Sequence, residues 1–208
     1  MIPLRLLVLA AALALAACSS IAPDKPARTA LYDFGPATPA PAAGRQMPPI
    51  VLPDFEAAGA LETSALFYRL GYSDSHQLRP YAQARWSSPP QRLVRERIRN
   101  YLGRDRPVLD LTESASLARV GGAMPPMLRM DLEEFSQVFD SPAQSFGVVR
   151  MRATLFENTT AGERLLGQRV FEQRQPAATA DAAGGVRALV AATDAIAQDI
   201  ATWLGQPR

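Results

Sequence analysis

Hydrophobic and polar residues form three patterns along the chain, and the first is an unbroken apolar run near the start. It extends from Leu6 to Leu15 and follows a single basic residue, Arg5. Ten apolar residues are too few to cross a bilayer, because a hydrocarbon core of roughly 30 Å requires about 20 helical residues. The run is therefore interpreted as the hydrophobic part of a secretory signal peptide that covers residues 1–17.

The second pattern is an alternation of apolar and polar residues, which is typical of half-buried strands. Together with shorter β-like runs, it predicts strands at residues 31–35, 50–55, 66–72, 78–86, 108–112, 127–135, 146–157 and 165–173. Segments 66–72 and 78–86 are predicted to form a hairpin, in which Pro80 indicates an edge or a bulge. The last three segments predict an antiparallel meander, with its final turn in the polar stretch 158–162.

The third pattern is apolar spacing of three and four residues, which predicts two helices. The first is expected to start near Pro89 and Pro90, because proline fits the first turn of a helix and a preceding serine can cap it. It is predicted to run to about Gly103. Its apolar stripe, which includes Val94 and Ile98, is expected to face a sheet.

Three basic residues of this first helix, Arg92, Arg95 and Arg99, are placed opposite the apolar stripe. Basic residues ordinarily occupy a solvated helix surface. The alternative is that the three arginines contact an anionic lipid or a partner protein. They are the candidate contact residues of the folded domain.

The second helix is predicted to begin at Asp181, whose side chain can cap it. Gly184 and Gly185 are expected to fray its first turn. The apolar stripe then continues from Val186 to Leu204, which predicts that this helix packs against the core.

These elements predict a single α+β domain over residues 31–208, with a mixed, largely antiparallel sheet and two main helices packed on it. The alternative is an α/β, Rossmann-like layering, because a helix between two strand pairs would support a parallel crossover. Strand order does not follow from the sequence.

Composition and charge reduce the number of possible functions and indicate how the domain is stabilised. The 208 residues are 48% apolar and carry a formal charge of +2, and removal of the signal with Arg5 leaves 21 basic and 20 acidic residues, or +1. This charge argues against nucleic acid as a partner. Cys18 is the only cysteine, so the chain cannot form an internal disulfide and hydrophobic burial must stabilise the domain.

Catalytic and metal-binding patterns are not recognised in the sequence. His76 is the only histidine, which disfavours a site built from several imidazoles, and it is expected in a turn. Glu133 and Glu134 are adjacent in a predicted strand and are expected to point to opposite faces, which does not suit an acid and base pair. The sequence therefore predicts a protein that is not an enzyme and has no cofactor or metal.

The tetrapeptide Leu15-Ala16-Ala17-Cys18 resembles the lipobox of bacterial lipoproteins. The resemblance implies cleavage before Cys18, a diacylglycerol on its sulfur and an acylated amine. Since two or more acyl chains hold a protein firmly on a membrane, Cys18 is the predicted lipid attachment site. The lipidated N-terminus and a flexible tether are expected at residues 18–30. Ser19, where a retention aspartate is absent, implies the periplasmic face of the outer membrane.

The order of motifs in the folded part also resembles a known family, the ABC-type transport auxiliary lipoproteins. The motifs are Tyr68-Arg69-Leu70, Tyr81-Ala82, Arg85-Trp86, Pro89-Pro90 with its helix, and a C-terminal helix ending at Trp203-Leu204. The resemblance extends from about Leu31 to Leu204.

This family resemblance implies an auxiliary docking component of an intermembrane lipid transporter. Its expected partner is a periplasmic MCE-domain protein, and several copies of the chain are expected to assemble as a ring. Two alternatives stay open: a periplasmic carrier that holds a hydrophobic ligand between sheet and helices, and a factor for outer-membrane assembly.

Overall fold

A computed structural model describes residues 28–36, 47–110 and 124–206. The strands are β1 (Ala30–Tyr32), β2 (Ile50–Val51), β3 (Glu56–Ala57), β4 (Ala65–Leu70), β5 (Asp74–Trp86), β6 (Val108–Leu109), β7 (Met127–Ser141), β8 (Gln144–Thr159) and β9 (Gly162–Pro176). The helices are α1 (Pro90–Leu102), α2 (Ala182–Leu204) and a short 3₁₀ helix (Gly59–Glu62). The predicted signal peptide, Cys18 and nearly all of the tether lie outside the described residues.

β7 organises the sheet because it pairs with four other strands, one along one edge and three along the other. β8 pairs antiparallel with one edge, and β9 then pairs antiparallel with β8, which confirms the predicted meander. The other edge of β7 pairs in turn with β2, β3 and β4, all of them parallel to it. β5 pairs antiparallel with β4, which confirms the predicted hairpin, while β1 and β6 add parallel pairings at β5 and β2.

The sheet of the described residues is therefore mixed. Five of its eight pairings are parallel, but they are short, and the two longest pairings are the antiparallel ones of the meander. The chain between the parallel neighbours β4 and β7 includes β5, α1 and β6, so a parallel connection of the kind considered for the alternative layering is present, although the sequence does not identify the strands that it joins. Pro80 lies beside a register shift in the β4–β5 hairpin, as its position predicts.

A bulge in β7 corrects the prediction for its adjacent glutamates. Leu132 and Phe135 both point into the core, and the register with β8 shifts between Leu132 and Glu134. As a result Glu133 and Glu134 lie on the same face: Glu134 stands opposite Arg150 in the ladder, and Glu133 binds the side chain of Arg150. The extra residue of a bulge changes which face the following side chains occupy.

α2 lies directly on the inner face of the meander, which is the face lined by Val149 and Met151. Gly147 permits this approach, since a Cβ atom there would lie 2.5 Å from the backbone of Ala188. Asp181 caps α2 by accepting a hydrogen bond from the Gly184 N–H at 2.7 Å, as predicted.

The first turn of α2 is packed, so the prediction that its glycines fray the helix is wrong. Gly184 and Gly185 are both buried, and the Gly185 N–H donates to the Asp181 carbonyl at 2.9 Å. A Cβ atom at Gly185 would lie 2.0 Å from Oε1 of Gln137. The glycine is needed here because the buried amide of Gln137 occupies the space of a side chain.

α1 begins at Pro90, and its N-cap residue is Pro89, which makes no side-chain hydrogen bond to the helix. The expected serine cap is therefore wrong. Its residues Val94, Ile98 and Leu102 are buried, but the helix packs chiefly against α2 and the 3₁₀ helix rather than on a sheet. Arg97 of α1 binds Asp194 of α2 through two bonds of 2.6 and 2.8 Å. Both helices contribute to one core cluster with the sheet, which gives the α+β architecture.

Within the described part of the chain, neither helix has the length and apolarity that a membrane crossing requires.

Candidate functional site

The three arginines proposed as a contact surface occupy different environments on α1. The side chain of Arg92 is exposed and makes no hydrogen bond or ion pair within the described residues. Arg99 is 42% exposed and lies 4.0 Å from Glu96, a weak pairing. Arg95, in contrast, has a side chain that is only 8% exposed. The prediction that all three share a solvated face is therefore wrong for Arg95.

The guanidinium of Arg95 joins α1 to two neighbouring segments. It donates to the carbonyl of Pro53 at 3.1 Å, to the carbonyl of Leu52 at 3.1 Å and to the carboxylate of Asp110 at 2.9 Å. Its remaining contacts are Glu96 at 3.0 Å and Asp54 at 3.3 Å. A fork of five donors is suited to such a junction, so Arg95 fixes the chain after β2 and β6 against the helix.

An open cavity of about 460 Å³ lies over this junction. Its lining combines two arginines with three carboxylates, and the charged lining residues are Arg92, Arg95, Asp54, Glu96 and Asp110. A mixed lining of this kind favours a polar partner surface over the anionic headgroup of a lipid, because the carboxylates repel an anion. Of the charged residues that line this cavity, Arg92 is the one whose side chain has no ion pair within the part of the chain that the structure describes.

The outer face of the meander, the side away from α2, carries a network of ion pairs. Glu133 accepts from Arg150 at 2.9 Å and from Arg152 at 2.6 Å, and Glu134 pairs with Arg69 at 3.0 Å. These pairs occupy the residues that alternate with the buried core positions. The outer face is therefore polar and largely satisfied by its own charges.

A second cavity, of about 270 Å³, lies at one end of this outer face. Thr154 lines it and is 8% exposed, with its hydroxyl accepting a bond from Gln168 at 2.9 Å. Asp131 also lines it, directly opposite Glu56 in the β3–β7 pairing. Burial, followed by the negative charge of Glu56, raises the pKa of Asp131 above its usual range, while Arg152 partly opposes the effect.

A buried polar chain lies beneath the start of α2. The Tyr81 hydroxyl donates to Oε1 of Gln137 at 2.8 Å, and the amide nitrogen of Gln137 donates to Ser145 at 2.7 Å. Burial is the main cause that raises the pKa of Tyr81, so the phenol stays protonated. Its position under the glycines of α2 gives this chain a structural role, because each polar atom is satisfied where the helix approaches most closely.

His76 lies at the start of β5 rather than in the turn that the sequence predicts. Its side chain is 96% exposed and stands 3.4 Å from Asp74. In residues 28–36, 47–110 and 124–206, no group of three or more His, Cys, Asp or Glu side chains is arranged to hold a metal ion.

Comparison with protein families decides the broad assignment. The family model described as "ABC-type transport auxiliary lipoprotein component" matches residues 31–201. The chain belongs to this family. Membership makes it an auxiliary component of ABC-type transport and implies attachment to a membrane through a lipid, and it confirms the resemblance found in the sequence.

Solved structures agree with this fold. A Xanthomonas campestris protein of the DUF330 family model superposes with a TM-score of 0.66 at 16% identity, covering 85% of this chain and 94% of that one. An uncharacterized protein superposes with a TM-score of 0.61 at 14% identity, covering 86% and 99%. At these identities the likeness shows the fold alone. No curated protein matches the chain significantly.

Proposed function

We propose that this chain is a non-enzymatic lipoprotein on the periplasmic face of the outer membrane, where it docks the periplasmic MCE-domain protein of an ABC-type lipid transporter. Membership of the auxiliary lipoprotein family supports the link to transport. Lipidated Cys18 would hold the domain at the membrane, and residues 18–30 would serve as its tether.

The filled interface between sheet and helices is the observation that favours docking over a carrier. Val149 and Met151 of β8 are 0% exposed, as are Leu189 and Ile196 of α2. A carrier requires a cavity of several hundred Å³ lined mostly by apolar side chains. Here the apolar side chains fill that interface themselves, whereas the cavities over the Arg95 junction and the outer face have charged linings.

The exposed arginines of α1 contribute one part of the proposed docking surface. Arg92 and Arg99 would contact carboxylates of the partner, while Arg95 positions the helix that carries them. Assembly of several copies would repeat this surface around a ring, and the mass of the detergent-solubilised lipoprotein would give the number of copies.

The experiment that tests this function is a comparison of full-length wild type with Cys18→Ala in the native host. Wild type should fractionate with the outer membrane and should co-purify with the MCE-domain protein after solubilisation. Cys18→Ala should fold but leave the membrane fraction.

Two results would contradict the proposal. Recovery of wild type without the MCE-domain protein would refute docking. Retention of Cys18→Ala in membranes after a salt wash would refute the lipid anchor.

A further inference from the structure

β9 is the last strand of the meander, and its edge away from β8 is unpaired over a long stretch in the part of the chain that the structure describes. Among the described residues it pairs with β8 and with no other strand. Its register with β8 is continuous from Gly167 to Pro176, and the one shift in this ladder lies before Gly167. In natural sheets, proline, bulges, short strands or charges prevent other strands from pairing with a free edge. Before Pro176, charged side chains are the only such feature of this stretch.

The backbone groups that face outward can be identified from the end of the strand. Ala177 donates its N–H to the carbonyl of Ser145, the residue opposite it, at 2.9 Å. In an antiparallel ladder, residues bonded in this way alternate with residues that direct both backbone groups away. Ala177 is bonded to β8, so every second residue before it is bonded to β8 as well, because the register is unbroken as far as Gly167. The residues between them face outward, and before Pro176 these are Gln168, Val170, Glu172 and Arg174.

The side chains along this edge specify what can pair with it. On the outer side, Val170 is 38% exposed. On the inner side, the guanidinium of Arg169 lies 5.1 Å from the ring of Phe171 and makes no ion pair within the described residues. The other charges on the stretch have partners, because Glu172 lies 3.7 Å from Arg150 and Arg174 pairs with Asp140.

Paired strands place opposite residues on the same face. A strand added to β9 would therefore set one side chain beside Arg169 on the inner side and the adjacent side chain beside Val170 on the outer side. An acidic residue suits the first position, since it would neutralise the unpaired guanidinium, and an apolar residue suits the second.

We infer that β9 binds an extended segment of the MCE-domain partner as an additional strand, with an acidic residue beside Arg169 and an apolar residue beside Val170. The inference rests on the proposed function and names the surface that performs it. Backbone hydrogen bonds to the outward-facing residues supply affinity, and the two flanking side chains supply selectivity.

Val170→Pro tests the edge directly. It removes an outward N–H without removing a bond to β8, and proline is tolerated on edge strands. In the full-length lipoprotein, recovery of the MCE-domain protein should fall about tenfold or more, as expected for loss of a buried backbone bond together with a steric clash. Val170→Thr keeps the N–H and a similar shape, so it should retain recovery close to wild type.

Arg169 provides a second variant pair that leaves the backbone unchanged. Arg169→Glu should weaken recovery of the MCE-domain protein, because it places like charges together, whereas Arg169→Lys should preserve most of it. Circular dichroism of each variant checks that the domain is folded. Photoreactive residues at Gln168 and Glu172 locate the contact even if Val170→Pro fails to fold, and Gln77, exposed on β5, is the control position.

Photoadducts with the MCE-domain protein at Gln168 and Glu172, but not at Gln77, would support the inference. Adducts elsewhere, with normal recovery for Val170→Pro, would overturn it and leave docking intact. Adducts between two copies of this chain at β9 would also overturn it, because a second copy would then cover the edge. Failure of wild type to recover any MCE-domain protein would refute docking itself, and the inference with it.

Discussion

The inner and outer faces of the meander use the same three strands but are stabilised by different interactions. On the inner face, Val149 and Met151 are completely buried beneath α2. On the outer face, the intervening Arg150 and Arg152 are 47% and 39% exposed and bind Glu133. One strand, β8, thus supplies apolar burial on one side and ion pairs on the other.

This difference indicates that the inner face determines the stability of the domain, whereas the outer face is available for binding a partner. Burial of a large aliphatic side chain contributes about 1.5–3 kcal/mol, whereas an exposed ion pair contributes about 0–1 kcal/mol. Substitutions on the inner face should therefore unfold the domain. Substitutions on the outer face and the free edge should leave it folded, and their effects should appear in partner binding.

The largest effect is expected at the closest approach of the inner face to α2. Gly147→Ala should destabilise the domain by about 3 kcal/mol, at the upper end for overpacking, because the added Cβ meets helix backbone that cannot rotate away. Urea unfolding of the mature domain measures this change.

Gly59→Ala is the matched control, because a Cβ there meets no atom within 4 Å. It should change the free energy of unfolding by less than about 1 kcal/mol, in the stabilising direction. Similar destabilisation by both variants would contradict the close contact between α2 and β8.

α1 also carries one buried and one exposed arginine, Arg95 and Arg92. Arg95→Met should cost about 2–3 kcal/mol, because it removes the bonds to Leu52, Pro53 and Asp110 from a buried position. Arg92→Met should change the free energy of unfolding by less than about 0.5 kcal/mol, since Arg92 is exposed. Thermal unfolding compares them, and equal effects would show that Arg95 does not join the three segments.

A smaller effect is expected within the ion pairs of the outer face. Glu133→Gln should cost about 1 kcal/mol at low salt, because it weakens two arginine contacts at once. The cost should shrink in 1 M NaCl, where the Debye length is about 3 Å. Exposed Glu62→Gln is the control. A cost for Glu133→Gln that did not depend on salt would contradict an ionic origin. It would show that Glu133 stabilises the domain mainly through packing.

The smallest effect is expected at Asp131. Its folded-state pKa is raised by burial and by Glu56, so its ionised form opposes folding at neutral pH. Asp131→Asn should therefore stabilise the domain slightly at pH 7, by less than the cost expected for Glu133→Gln. The gain should disappear as the pH falls below the usual pKa of aspartate, where wild type is protonated in both states. A loss of stability at pH 7 would contradict this origin of the shift.

The sequence predicts local structure where one pattern dominates. The meander and α2 were predictable because their alternation and three-and-four spacing continue through many residues, as from Val149 to Leu155 in β8. The parallel pairings of β7 with β2, β3 and β4 were not, since they depend on contacts between distant segments. The glutamate bulge also escaped prediction, because strict alternation assumes a regular strand.

The candidate site was only partly predictable. Arg95 was assigned to the solvated side because it is charged, yet its spacing to Ile98 and Leu102 is three and seven residues, which places it beside the buried stripe. That spacing was the available signal. Arg92 and Arg99 remain predictions as contacts, and Cys18 remains a prediction as the lipid attachment site.

We propose that this lipoprotein works through its surfaces, because its inner face is filled by its own side chains. Native mass spectrometry of the mature domain without its acyl anchor, after incubation with phospholipid vesicles, distinguishes this function from that of a carrier. We expect the mass of the polypeptide with no lipid bound. Stoichiometric phospholipid on the folded domain would contradict it and would establish a carrier instead.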